Sequence, residues 1–150
     1  MAYELSQLLR AKHDIEPSHL LVGGRSAPHI PERKPPTYGL PDDLFIEELR
    51  KLNGTPKEVL ENREFLEFIL PVMRADSELI QTYRYERKPP LTCPITAFGG
   101  LLDNEVPLED LKEWEDHTKG AFALKTFPGD HFFLQTVQKE LLNEVSIALA

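Results

Sequence analysis

Apolar residues recur along this chain with changing period, and each change marks a new element. In the opening dozen, MAYELSQLLRAK, Leu5, Leu8 and Leu9 share one face at helical spacing. The pattern predicts a helix already running at Met1, with no Ser, Thr, Asp or Asn cap before it. His19 to Val22 is a short apolar run between Pro17 and the Gly23-Gly24 pair, which reads as a buried strand followed by a loop. From Pro28 to Pro41 the prolines Pro28, Pro31, Pro35, Pro36 and Pro41 remove backbone donors and disfavour regular structure. That stretch is expected to be a connecting loop.

Between Pro41 and Tyr85 the period is helical throughout. Leu44, Phe45, Leu49 and Leu52 form one stripe, which Asn53-Gly54 ends. Thr55-Pro56-Lys57-Glu58 has the layout of a capping box with proline at the first helical position. The longer pattern REFLEFILPVMRADSELIQTYRY carries Phe65, Phe68, Ile69, Val72, Met73, Leu79, Ile80 and Tyr83, with Pro71 as an expected kink or break. The segment predicts an all-helical insert of about three helices.

After it the strand period returns. Leu91 to Gly100, LTCPITAFGG, reads as a second buried strand, with Asp103 in the loop that follows. Pro107 opens a helix whose buried face carries Leu108, Leu111 and Trp114, and Gly120 closes it. AFALKTF is a third strand, Pro128-Gly129 a turn, and Phe132 to Leu149 a final helix with Phe133, Val137, Leu141 and Val145 at steps of four. Strands alternating with helices imply βαβ units and a parallel sheet, hence an α/β fold. No internal repeat or low-complexity tract interrupts the pattern.

Composition narrows what such a fold can do. A chain of 150 residues is the size of one domain and buries about 70% of its unfolded surface. A net charge of −8 and no basic stripe argue against nucleic-acid binding. With Cys93 as the only cysteine, neither an internal disulfide nor a thiolate zinc cluster can form. No apolar run reaches the roughly 18 residues that span a bilayer, and nothing resembles a secretory signal. A cytoplasmic protein is expected, without membrane, metal or cofactor.

The candidate chemistry lies at strand ends. In open parallel sheets, reacting groups gather at the carboxyl ends of the strands, and Asp103 and His131 both fall just after such an end. A carboxylate that accepts a hydrogen bond from imidazole fixes its tautomer and stabilises the imidazolium formed during proton transfer. The chain order, acid then histidine, is that of α/β-hydrolases. The plainer alternative makes Asp103 a turn or helix cap and His131 a strand-to-helix boundary residue. His13 and His117 read as solvated helix-end residues, His19 and His29 as flanks of a strand and loop, and Asp130 as a loop residue.

GGRSAPHIP, LPDDLFIEELRKLNGTPKEVLENREFLEFILPVMRADSELIQTYRY, CPITAFGGLLDNEV and FPGDHFFL, in this order, resemble the type II thioesterases of nonribosomal peptide and polyketide biosynthesis. The resemblance covers nearly the whole chain. It implies residues 1–150 as a single truncated α/β-hydrolase domain, with about three parallel strands, flanking helices and a helical lid at about 41–85. It further implies hydrolysis of acyl thioesters on the phosphopantetheine arm of a carrier protein, and carries the family's acid onto Asp103 and its histidine onto His131.

The family's Gly-x-Ser-x-Gly elbow has no counterpart. The helix that follows it resembles AYELSQLL, so the elbow is expected just before Met1 and the nucleophile outside this chain. Ser6, Ser18, Ser26, Ser77 and Ser146 all lack the strand-to-helix turn that exposes a nucleophile. Cys93 lies at the entry of the strand that carries Asp103 at its exit, so core packing is its expected role. The expectation is therefore an inert polypeptide with an exposed strand edge near His19 to Val22, arising as a gene fragment, a misplaced start codon, a frameshift or a decayed copy. Two other readings stay open: a non-catalytic module that binds a carrier protein, and an α/β domain of unrelated role. Arg84, Arg87 and Lys88 offer either local docking charge or a solvated helix end.

Overall fold

In the computed structural model, which describes residues 1–149, the elements follow in the order α1 (Ala2–His13), β1 (Leu20–Gly23), α2 (Asp42–Leu52), α3 (Lys57–Glu61), α4 (Arg63–Gln81), β2 (Ile95–Gly100), α5 (Leu108–Lys112), a 3₁₀ turn (Glu113–His117), β3 (Phe122–Phe127), α6 (Phe133–Thr136) and α7 (Gln138–Leu149). They form two compact units. One comprises Met1–Ile30 with the chain from Glu86 onward, the other Pro31–Tyr85.

In the first unit β2 is buried at all six positions, which is why ITAFGG reads as an unbroken apolar run rather than an alternating one. It pairs in parallel with β1, from Leu20 opposite Ile95 to Gly23 opposite Phe98, and with β3, from Ile95 opposite Phe122 to Gly100 opposite Phe127. The order β1-β2-β3 makes the predicted parallel sheet, with β1 and β3 as its edges among the described residues. Phe98, Phe127 and Phe133 form one buried cluster, against which Leu21, Val137, Leu141 and Val145 pack. Leu111 and Trp114 are buried too.

Several local expectations need correction. The predicted strand from Leu91 narrows to Ile95–Gly100, with Leu91 keeping only an isolated bridge to Thr118. The final helix is two pieces, because Val137 leaves helical backbone (φ −119°, ψ 35°) between α6 and α7. The leucine face expected of α1 is not its packed face: Leu5 and Leu8 are 55% and 48% exposed, while Tyr3, Ser6 and Gln7 are buried. The reason is polar. Pro89 and Pro90 offer unpaired carbonyls, and Gln7 and Arg10 turn inward to satisfy them at 2.6–3.1 Å.

In the second unit Phe45, Leu49, Leu60, Leu66 and Leu70 make a separate core. Asn53 ends α2 in the left-handed region (φ 58°), as its sequence position suggests. The capping box at Thr55 does not form; α3 starts at Lys57 without a side-chain cap bond. The cap that does form is Asn62, whose Oδ1 accepts from Phe65 N at 3.0 Å and opens α4. Pro71 does not break α4, which runs unbroken from Arg63 to Gln81. Leu66 and Leu70 anchor it in the core, with Ile69 and Met73 packed alongside. That burial outweighs the roughly 3 kcal/mol a helix-interior proline costs.

Candidate active site

Beyond their paired residues β2 and β3 stay joined. Leu101 N donates to Phe127 O and Leu102 N to Gly129 O, both at 2.9 Å, so the loops after the two strands leave the sheet side by side. Asp103 lies on the first loop and His131 on the second, and their side chains meet: His131 Nδ1 is 2.9 Å from Asp103 Oδ2. A carboxylate oxygen only accepts, so Nδ1 carries the proton and Nε2 of the neutral ring is left with its lone pair.

Asp103 is held still. Its side chain has no exposed surface, against 26% for His131. Its other oxygen, Oδ1, accepts from Glu105 N at 2.8 Å and Val106 N at 3.0 Å. The imidazole lies edge-on to Phe132, with ring centroids 5.3 Å apart. On the β1 side it abuts Gly24, where a Cβ would sit 3.6 Å from His131 Cε1. Gly24 holds φ 57°, which favours glycine. Leu101 and Leu102, both exposed, lie beside the pair in sequence.

The serines sit elsewhere. Ser6 is buried in α1 with its hydroxyl on Ala2 O at 2.9 Å, Ser26 donates to Asp110 Oδ2 at 3.3 Å, and Ser146 to Leu142 O at 2.8 Å within α7. Ser77 is inside α4 and Ser18 lies ahead of β1. Cys93 is buried, and that burial, reinforced by the Glu16 carboxylate, raises its thiol pKa, the opposite of an activated nucleophile. Among the described residues, no group of three His, Cys, Asp or Glu side chains could hold a metal. Lys88 is paired with Glu4 at 2.5 Å, while Arg84 donates to Tyr83 O.

His117 departs from expectation. It is 3% exposed rather than solvated. His117 Nδ1 is 3.1 Å from Tyr3 Oη, which also receives Gln7 Nε2 at 2.9 Å, and His117 Nε2 is 2.8 Å from His29 Nδ1. His29 Nε2 in turn faces Glu113 Oε2 at 3.4 Å. One proton order satisfies the whole chain with both rings neutral: Tyr3 donates to His117, His117 to His29, and His29 points its remaining proton at Glu113. Burial, helped by the neighbouring His29 and opposed by Asp116, lowers the His117 pKa to about 4. The sequence signal was the spacing of Trp114 and His117, three apart. A 3₁₀ turn eclipses such positions, and both rings are buried 5.7 Å apart. His19 is likewise structural, bridging Ala148 O and Thr96 Oγ1 at 2.9 Å each, and His13 is exposed as expected.

A parallel sheet with a buried carboxylate and a half-buried imidazole paired at its carboxyl edge defines an α/β protein with an acid–histidine pair where such sheets collect functional groups. Comparison with known proteins gives this class a family. The model of the thioesterase domain matches residues 1–147, and the chain belongs to that family. Gramicidin S biosynthesis protein GrsT of Aneurinibacillus migulanus is 44% identical over 142 residues, covering 95% of this chain and 56% of GrsT. Thioesterase PikA5 of Streptomyces venezuelae is 36% identical, covering 97% of this chain and 52% of its own. The solved type II thioesterase BorB of the borrelidin cluster superposes with a TM-score of 0.89 at 34% identity, over 99% of this chain and 60% of BorB. These structural relatives bear out the α/β-hydrolase fold. The chain spans about half the length of the curated relatives it matches.

Proposed function

We propose that this chain carries the acid and the general base of a carrier-protein thioesterase. Asp103 orients His131, whose Nε2 takes the proton from a serine nucleophile as it attacks the acyl carbonyl, passes it to the departing pantetheine thiolate, then takes a proton from the water that hydrolyses the acyl-serine and returns it to the serine oxygen. The observation that carries the reading is the 2.9 Å bond between His131 Nδ1 and an Asp103 carboxylate that is wholly buried and held by two further amides. The substrate class, an acyl group on the phosphopantetheine arm of a peptidyl or acyl carrier protein in the cytoplasm, is supported by the resemblance to thioesterases of peptide and polyketide pathways. In this reading residues 41–85, which lie within the separate unit Pro31–Tyr85, act as the lid.

The nucleophile belongs to a Gly-x-Ser-x-Gly elbow that the 150 residues do not contain. The polypeptide by itself is therefore expected to leave an acyl-pantetheine thioester hydrolysing at the background rate. Assay of the purified chain tests this: turnover that disappears in His131→Ala would show that a nucleophile is present after all.

A further inference from the structure

The loop that delivers His131 is held from two sides, and neither hold involves the acid–base pair itself. The first is Gly100, the last residue of β2. A Cβ on Gly100 would overlap the carbonyl oxygen of Asp130 and stand 2.7 Å from that of Gly129, and both are backbone atoms with no rotamer to yield. The bare Cα is what lets the loop close down. The second is Asp130, an exposed residue whose Oδ1 accepts from Phe132 N at 2.9 Å while its carbonyl accepts from Phe133 N at 3.1 Å. His131 sits inside that doubly closed turn.

We propose that Gly100 and Asp130 are positioning residues that set the reach of His131 to Asp103, Gly100 by admitting the loop and Asp130 by capping the turn. Asp103 travels with β2, since its amide bonds Gly100 O at 3.3 Å. His131 travels with the loop that a Gly100 side chain displaces. To reach even the 3.0 Å below which real Cβ contacts essentially never fall, the Gly129 carbonyl has to withdraw by some tenths of an ångström and that of Asp130 by more. The His131–Asp103 bond at 2.9 Å has only about 0.3 Å of slack before it leaves the N–H···O range. The two lengths are comparable, so the bond is lost. Gly99 provides the contrast: its Cβ would press on the side-chain ends of Leu111 and Leu108, which can turn, and on no part of the His131 loop.

The inference takes the pair's importance from the proposed function, but its test needs neither substrate nor nucleophile. Nitrogen-detected NMR of the imidazoles in the 150-residue chain, in alkaline buffer, reads the tautomer directly. The unaltered chain is expected to show His131 wholly as the Nδ1–H form with a downfield Hδ1 signal. Gly100→Ala should lose that signal and shift toward the Nε2–H form, and Gly99→Ala should keep it. Asp130→Ala should weaken it, and Asp130→Asn, whose amide oxygen still accepts from Phe132, should restore it. A folded Gly100→Ala chain with the unaltered tautomer would overturn the role of Gly100, as an unchanged signal in Asp130→Ala would overturn that of Asp130. Should Gly100→Ala not fold while Gly99→Ala does, the close approach at Gly100 serves the fold and its assignment as a positioning residue is overturned, while the exposed Asp130 pair decides the role of Asp130. Failure of the catalytic reading would leave these spectra unchanged, so the two claims fail separately.

Discussion

The side chain of Asp103 is buried entirely, and its carboxylate answers three donors at once: His131 Nδ1, Glu105 N and Val106 N. Removing it leaves two part-buried amides without their acceptor, each worth at most about 1–3 kcal/mol. Asp103→Ala is accordingly expected to lower the unfolding free energy by about 2–4 kcal/mol in urea titration. Asp103→Asn, whose amide oxygen can still serve Glu105 and Val106, should cost less than half as much. At His117 the sign of the pH effect follows from a folded pKa of about 4 against an ordinary value of 6.5. Between these values the unfolded chain binds the proton and the folded one refuses it, so stability is full above about 6.5 and falls as pH drops toward 4. The loss is on the order of 3 kcal/mol at about 1.4 kcal/mol per pH unit. His117→Gln should flatten that part of the pH–stability curve; an unchanged slope would place the titration elsewhere. Asp103 and His131 were legible because strand ends in a parallel sheet collect chemistry. His117 was not, because its partner Tyr3 lies 114 residues away and the three-residue spacing from Trp114 signals a shared buried face without naming that partner.

Among the elements, strands and the insert read well, while the faces and ends of helices read less well. ITAFGG is apolar at every position because both sides of β2 are covered, a pattern visible without coordinates. The face of α1 was misjudged because apolar spacing ranks leucines above glutamine and arginine, and takes no account of the carbonyls of Pro89 and Pro90 that those polar groups satisfy. The break after Thr136 was hidden for a similar reason: Val137, Leu141 and Val145 keep step with Phe133 against the same cluster although the backbone between α6 and α7 is not helical. Pro71 gives a test at this scale. It sits on the exposed side of an unbroken helix and withholds one backbone donor. Pro71→Ala is expected to raise the thermal midpoint of the helical unit, by about 1–3 kcal/mol of stability on the propensity difference. A fall in the midpoint would show that the proline is required for the packing of Leu66 and Leu70.

At the scale of the whole molecule, a parallel sheet and a separate helical unit share one chain that spans about half of its curated relatives. Its net charge of −8 bears on partners. Toward a carrier protein that is itself acidic, bulk charge gives no attraction, and affinity for such a partner should not fall with added salt. The most direct measurement is hydrolysis of an acyl-pantetheine thioester by this chain joined behind an amino-terminal segment of a related thioesterase that supplies a Gly-x-Ser-x-Gly elbow. With His131 intact the joined protein should turn over. His131→Ala should cost on the order of 10⁶ in kcat, the scale seen when a triad histidine is removed from a serine hydrolase. Turnover of the joined protein that His131→Ala leaves unchanged would contradict the assignment of His131 as the base.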